Sequence, residues 1–191
     1  MFKRSNMEII IMRHGKPVIE TSQKISANDF DAWVQKYDQA SIDQTCQPSS
    51  EAVNIASRCT KIVCSHLPRS IESARVLKKT PDTTEFLFRE AEIPGGKWTY
   101  PKFKPKTWAI IFRILQLFGY SANAESLSEI KNRAQTCANQ LITYAEQHGS
   151  VLLVGHGTLN WFIHKQLISM GWHGPTKVNS KHWGHGVYQC H

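Results

Sequence analysis

At 191 residues, of which 41% are hydrophobic, the chain is long enough to bury one core, and we expect a single domain over residues 1–191. Its 23 Lys and Arg against 15 Asp and Glu give a net charge of +8, which attracts anions such as nucleic acids, acidic membranes and phosphorylated small molecules. Five dispersed cysteines without a Cys-x-x-Cys pair argue against a disulfide framework or a zinc knuckle, and reduced thiols favour a cytoplasmic location. No apolar run reaches the ~18 residues of a membrane span, and none resembles a signal peptide. Met7 is an alternative start.

Short apolar runs predict five β-strands along the chain. They cover residues 8–12, 61–65, 85–88, 151–154 and 187–190. The first and fourth runs are apolar almost throughout, which is typical of strands covered on both faces of a mostly parallel sheet. The fifth run is expected to close the sheet.

Helical patterns lie between these strands. One apolar stripe extends from Leu127 to Ala145, where Ser126 and Glu129 form a capping-box signature and Gly149 is a stop signal. A second stripe begins at residue 159 and ends before residue 171. The alternation of strands and helices predicts a layered α/β fold with right-handed crossovers.

Residues 93–124 differ from the rest of the chain, because they contain no acidic residue. Five basic side chains stand there among prolines and aromatic residues: Lys97, Lys102, Lys104, Lys106 and Arg113. We interpret this segment as an irregular insertion followed by a helix over residues 107–118. A solvated basic loop and a lid that faces a multiply anionic substrate are both compatible with this pattern.

Four predicted strands end in residues that can bind or transfer phosphate. In an open parallel sheet, ligands bind beyond the carboxyl ends of the strands, so these residues are expected on one rim. The segments are Arg13-His14-Gly15, Ser65-His66-Leu67-Pro68-Arg69, Arg89-Glu90 and Gly155-His156-Gly157. Arginine offers a fork of donors to phosphate oxygens, histidine can act as a nucleophile or a donor near neutral pH, and a carboxylic acid can protonate a leaving group.

These motifs resemble the histidine phosphatase superfamily, also called the phosphoglycerate mutase-like family. The likeness rests on an early Arg-His-Gly, a later Ser-x-x-x-Arg and a late Gly-His-Gly, and Glu125-Ser126-Leu127 with Arg133 is similar to a helix start that many members share. The resemblance implies a three-layer α/β/α sandwich with a mostly parallel central sheet, and a phosphatase without metal or other cofactor. It also implies a covalent phosphohistidine on His14.

The resemblance assigns further roles residue by residue. Arg13, Arg69 and His156 would hold the phosphoryl group, and His156 would also take part in catalysis. Glu90 best matches the family's acid, with Glu92 as the alternative two residues on. Other expected pocket residues are Gly15, Lys16, His66 and His185.

Two alternative functions remain from the sequence. A phosphoglycerate mutase-type transfer is less favoured, because mutases typically continue Arg-His-Gly with Glu-Ser, whereas this chain has Lys16-Pro17-Val18. A non-catalytic module that binds phosphate or nucleic acid fits the charge, but the complete catalytic set argues against it. His182, His185 and His191 lack the spacing of a metal site. We therefore expect an anionic phosphorylated small molecule as the partner, and neither a membrane nor a nucleic acid.

Overall fold

The computed structural model describes residues 7–190. The interpretation of Met7 as an alternative start concerns residues 1–6, which lie outside the described residues. The strands are β1 (Glu8–Arg13), β2 (Lys61–Ser65), β3 (Thr83–Glu85), β4 (Ser150–Gly155) and β5 (His185–Gln189). The helices are α1 (Phe30–Asp38), α2 (Ser50–Ser57), α3 (Pro68–Val76), α4 (Pro105–Leu117), α5 (Leu127–His148) and α6 (Gly157–Ser169), with a short 3-10 helix at Phe86–Phe88.

The five strands form one sheet in the order β3-β2-β4-β1-β5. β1, β2, β3 and β4 run parallel, and β5 pairs antiparallel with β1. The carboxyl ends of β1, β2 and β4 therefore meet at one edge of the sheet, which is where the sequence places the Arg-His-Gly, Ser-x-x-x-Arg and Gly-His-Gly motifs.

Side chains that alternate along the strands build two core layers. In β1, Ile9 and Ile11 pack on the face covered by α5 and α6, whereas Ile10 and Met12 pack on the face covered by α2 and α3. Successive strand side chains point to opposite faces, so a run that is apolar throughout requires a helical layer on each side. This arrangement confirms the three-layer α/β/α sandwich.

A smaller third core lies between α1 and α4. Phe30 of α1 packs there with Trp108 and Phe112 of α4, and the ring centroids of Phe30 and Phe112 are 5.2 Å apart. Within segment 93–124, residues 93–104 contain no helix or strand, and α4 follows. Aromatic packing of Phe30 with Trp108 and Phe112 therefore holds α4 against α1.

The long helix α5 has the predicted caps. Ser126 accepts a hydrogen bond from the backbone N–H of Glu129, and the Glu129 carboxylate accepts one from the N–H of Ser126. Gly149 ends the helix with φ of +80°, a conformation that favours glycine.

Two strands differ in extent from the prediction. The strand predicted at 85–88 occupies Thr83–Glu85, and the apolar run Phe86–Phe88 turns into a 3-10 helix, in which only Phe88 is buried. The last strand begins at His185 rather than at residue 187. Among the described residues, no helix is long and apolar enough to cross a membrane.

Candidate active site

The carboxyl ends of β1 and β4 bring two predicted histidines together. The backbone N–H of His14 donates to the carbonyl oxygen of Gly155 over 3.0 Å, and the ring centroids of His14 and His156 are 5.1 Å apart. Asn160, one turn into α6, fixes this arrangement. Its side chain accepts from the N–H of His156 and donates to the carbonyl oxygen of Met12.

His14 is held as a neutral imidazole with a defined free nitrogen. Its Nδ1 lies 2.7 Å from the carbonyl oxygen of Gly15, so Nδ1 must carry the proton and Nε2 keeps its lone pair. Burial, together with the neighbouring His156 and Arg69, lowers the pKa of His14 well below its usual value. Nε2 makes no hydrogen bond to another residue within 7–190. A neutral imidazole with a free Nε2 is the form in which histidine acts as a nucleophile.

His156 is oriented by a serine of β2. The Oγ atom of Ser65 lies 2.7 Å from Nε2 of His156 and also accepts from the N–H of Leu67. The Ser65 hydroxyl proton is therefore available for Nε2, which leaves the ring proton on Nδ1. Burial and the charges of Arg69 and Arg13 lower the pKa of His156 well below its usual value, so this ring is also neutral.

Arg69 is a buried guanidinium at the start of α3. Its Nη1 donates to the carbonyl oxygen of Tyr37 over 3.1 Å, and its Nη2 forms an ion pair with the Asp38 carboxylate at 3.0 Å. The guanidinium also lies over the Tyr37 ring, 4.6 Å from its centroid. These contacts at the end of α1 set the orientation of an arginine that has only 1% of its side chain exposed.

Arg13 reaches the same region from the end of β1. Its Nη1 donates to the carbonyl oxygen of Ser180. A Cβ atom at Gly157 would lie 3.4 Å from the Arg13 guanidinium carbon, so this side chain lies beside the start of α6.

Three buried nitrogen atoms around His14 have no hydrogen-bond partner among residues 7–190. They are Nε of Arg13, Nε of Arg69 and Nδ1 of His156. Buried donors without partners are costly, and native proteins leave few of them. All three belong to residues whose charge or proximity affects His14, so these donors indicate a binding site for an anion.

Glu90 lies at the amino end of α6. Its carboxylate accepts hydrogen bonds from the N–H groups of Ala91, Thr158 and Leu159 at 2.9–3.2 Å. Burial alone would raise its pKa, but the charge of Arg113 and these three N–H groups hold the pKa of Glu90 below its usual value. The carboxylate is therefore ionised in this arrangement.

Glu92 occupies a different environment from Glu90. Its carboxylate pairs with Arg89 at 2.7 Å and accepts a hydrogen bond from the N–H of Glu125. Glu125 in turn forms two 2.6 Å hydrogen bonds with Arg133. These contacts make Glu92 part of an ion-pair network that joins the loop after Phe88 to the start of α5.

The other predicted pocket residues fall in several places. The N–H of Gly15 donates to Ser73, while Lys16 is exposed and pairs with Asp43 at 3.4 Å. His66 is exposed and stacks on Phe86 with ring centroids 4.8 Å apart. Lys16 and His66 line the cavity described below, as does Glu92; Gly15 does not.

His185 does not face this region, which corrects the prediction that it reaches the pocket. It is the first residue of β5 and pairs with Met12 in the antiparallel ladder, and its Nε2 lies 3.8 Å from the Glu51 carboxylate. The pocket histidine is instead His182, in the turn before β5. Its Nδ1 donates to the carbonyl oxygen of His14 over 3.1 Å, and burial and the charge of Arg13 lower its pKa to about 4.

A cavity of about 1250 Å³ opens beside these groups. Its inner wall is formed by Arg13, Arg69, Glu90 and His182, whereas His14 and His156 are themselves buried. Its outer wall is formed mainly by α1 and α4. The lining residues that the sequence did not assign to the active site include Tyr37, Asp38, Arg113 and His182. Arg113 had a signal in the basic helix and His182 in the histidine-rich end, but Tyr37 and Asp38 had none.

Among residues 7–190, no group of three or more histidine, cysteine or carboxylate side chains is arranged to hold a metal ion.

The family model of the histidine phosphatase superfamily (branch 1) matches residues 51–185, more than half of the chain. The chain belongs to this superfamily. The matched segment contains Arg69, Glu90 and His156, while Arg13 and His14 precede it. No curated protein matches the sequence.

Solved structures share the fold at low sequence identity. The product of the open reading frame Rv3214 from Mycobacterium tuberculosis is 14% identical with a TM-score of 0.62, and the alignment covers 97% of this chain and 96% of that one. A phosphoglycerate mutase from Bacillus anthracis is 17% identical with a TM-score of 0.60, covering 96% and 88%. A mycobacterial glucosyl-3-phosphoglycerate phosphatase is 16% identical with a TM-score of 0.54, covering 85% and 80%. At these identities the likeness concerns the fold alone.

Proposed function

We propose that this member of the superfamily is a phosphatase that acts through a phosphohistidine on His14. The observation that supports this most is the set of three unpaired buried nitrogen atoms, on Arg13, Arg69 and His156, around a neutral histidine. A phosphoryl group would give these donors partners and place phosphorus near Nε2. The positive charges of Arg13 and Arg69 then stabilise the charge that spreads over the phosphoryl oxygens during transfer.

The reaction takes two steps with the same groups. Nε2 of His14 attacks phosphorus as the bond from phosphorus to the ester oxygen breaks, and Glu90 gives its proton to the leaving oxygen. In the second step Glu90 removes a proton from water, the water oxygen attacks phosphorus, and the bond to Nε2 breaks. His14 and Glu90 return to their starting forms, and inorganic phosphate leaves.

The state of Glu90 changes with occupancy in this proposal. The protein's own groups hold it as a carboxylate, because Arg113 and three N–H groups lower its pKa. A phosphate dianion bound by Arg13 and Arg69 places a like charge near this carboxylate, and like charges raise the pKa of a carboxyl group. Substrate binding therefore favours the protonated form that the first step needs.

The outer cavity favours hydrolysis over mutase chemistry. A mutase must hold an intermediate with a second phosphate group, which requires further cations next to the first site. Here α4 presents Ile110, Ile114 and Leu117 to the cavity. Of the two cations of α4 that line the cavity, Arg113 already donates to the carbonyl oxygens of Ala91 and Glu92, which leaves Lys106.

The proposal is tested by trapping the intermediate. Wild-type protein incubated with a ³²P-labelled phosphoester and quenched in alkali should carry acid-labile label, and phosphate should be released to water. The His14→Ala variant should show neither. Turnover by His14→Ala at the wild-type rate would refute the assignment of His14 as the nucleophile. Transfer of the phosphoryl group to an added acceptor without release of phosphate would favour a mutase.

A second comparison separates Glu90 from Glu92. Glu90→Gln should lower kcat/KM, which reports the first step, about 10²–10⁴-fold for an alkyl phosphate and much less for p-nitrophenyl phosphate, whose leaving group needs no proton. Glu92→Gln is the matched control, and its rates for the two esters should differ by the same factor as those of the wild type. The opposite result would assign the acid to Glu92.

A further inference from the structure

The two faces of α4 differ in what they contact. Trp108 and Phe112 on one face are buried in the aromatic core with α1. On another face Ile110, Ile114 and Leu117 are 62%, 49% and 60% exposed. Spacings of four and three residues put these three side chains in one stripe along the helix. Exposed apolar side chains that form a contiguous stripe indicate a binding surface more often than isolated ones do.

This apolar stripe lines the cavity that leads to Arg13 and Arg69. Ile19 and Val34 line the same cavity, and so does Phe86, which is 60% exposed. The cavity thus changes in character along its wall, from arginine and histidine at the strand ends to aliphatic and aromatic side chains on α1 and α4. The apolar wall and the anion site therefore belong to the same cavity, so one ligand can contact both.

Most basic side chains of segment 93–124 are not available to a second anion in the cavity. Lys97, Lys102 and Lys104 do not line the cavity, whereas Lys106 and Arg113 do, and Arg113 already donates to the carbonyl oxygens of Ala91 and Glu92. The carboxylates of Asp31 and Asp38 also line it. The expectation of a multiply anionic substrate, based on five basic residues, therefore loses most of its support.

We propose that the substrates are phosphate monoesters whose ester oxygen carries an extended apolar group, alkyl or aryl, which lies against the stripe of Ile110, Ile114 and Leu117. This inference rests on the proposed phosphatase activity. Phosphate binds at Arg13 and Arg69, and the hydrocarbon part loses its contact with water against α4.

A series of n-alkyl phosphates from ethyl to octyl, kept below micelle-forming concentrations, tests this. The leaving alcohols have nearly the same acidity, so the chemical step is equal along the series. Each methylene that becomes buried should raise kcat/KM by about fourfold, and we expect at least a tenfold rise from ethyl to hexyl. Glycerol phosphate and glucose 6-phosphate should be turned over less well than hexyl phosphate.

Variants identify the surface that contacts the chain. Ile110→Gln combined with Ile114→Gln should flatten the dependence of kcat/KM on chain length, with a much larger loss for hexyl phosphate than for ethyl phosphate. Phe118→Gln is the matched control, because Phe118 is 86% exposed next to α4 but does not line the cavity. It should keep the wild-type slope. Circular dichroism melts should confirm that all three proteins fold alike.

The outcomes separate this inference from the proposed function. Equal kcat/KM along the series, or a preference for glucose 6-phosphate over hexyl phosphate, would overturn the apolar substrate and leave the phosphatase intact. If Phe118→Gln abolishes the dependence of kcat/KM on chain length as fully as the double variant does, the stripe is not the binding surface. If no ester is hydrolysed and no phosphohistidine forms, both proposals fail.

Discussion

Replacing Gly15 by alanine tests how closely the nucleophile's loop is packed. A Cβ atom at Gly15 would lie 2.5 Å from Cζ2 of Trp183 and 3.0–3.1 Å from two further ring atoms. Trp183 is buried, and its Nε1 donates to the carbonyl oxygen of Cys46 over 2.7 Å. The ring is therefore held in place, and the backbone at Gly15 has to move instead.

This movement should lower both the stability of the protein and its kcat. Overpacking a well-packed site costs about 1–3 kcal/mol, and in a protein of this size each kcal/mol lowers Tm by about 2–4 °C. The carbonyl oxygen of Gly15 is also the acceptor that fixes Nδ1 of His14. A shift of this carbonyl by about 1 Å misorients Nε2, and we expect kcat to fall by about 10–100-fold.

Thermal melts and steady-state kinetics on Gly15→Ala measure both effects. Gly157→Ala is a matched control for Tm, because a Cβ there makes ordinary contacts of 3.4 Å or more, and it should melt within about 2 °C of wild type. Adding Trp183→Phe to Gly15→Ala should cost less than the sum of the single changes, since the smaller ring removes the clash. Gly15→Ala with unchanged Tm and kcat would refute the steric argument.

Two further predictions concern the neutral histidines. Because burial lowers the pKa of His14 and His156, both stay neutral in the folded protein while their unfolded counterparts take up protons below about pH 6.5, so stability falls as pH falls. These two rings should contribute about 2–3 kcal/mol to the loss of unfolding free energy that urea titrations show between pH 7 and pH 5.5, and His182, whose pKa is about 4, should add about 1 kcal/mol. A constant free energy of unfolding would contradict neutral burial. Ser65→Ala leaves Nε2 of His156 unpaired and should cost about 1–3 kcal/mol and reduce kcat. The exposed Ser57→Ala should change stability by less than about 0.5 kcal/mol, and equal losses in both variants would argue against a special role for Ser65.

The sheet and the two long helices were predictable because their side chains repeat with a clear period. β1 and β4 are apolar on both faces, and α5 carries both its stripe and its capping box. By contrast, α1 was not predicted, although Phe30, Trp33, Val34 and Tyr37 stand at helical spacing, because the helix has only nine residues. The third strand was misplaced because Phe86–Phe88 is apolar, although Phe86 is exposed between the His66 ring and the Arg89 side chain that contact it.

The parts of the site that could be predicted are those fixed by strand ends. Parallel strands bring their carboxyl ends to one edge, so Arg13, His14 and His156 follow from topology. Tyr37 and Asp38, which orient Arg69, come from a helix whose position depends on tertiary packing. Which histidine of the last segment enters the pocket depended on where β5 begins, and apolar periodicity did not locate that boundary.

The two ends of the cavity rest on different parts of the core. The phosphate end is fixed by the sheet and by backbone hydrogen bonds between its strand ends, such as that from His14 to Gly155. The apolar end is positioned by the separate aromatic core in which Phe30 packs against Phe112. Side-chain changes in that small core can therefore alter the shape of the apolar wall without moving the strand ends. If the proposed function holds, this separation lets the same arrangement of Arg13, His14 and Arg69 serve leaving groups of different shape.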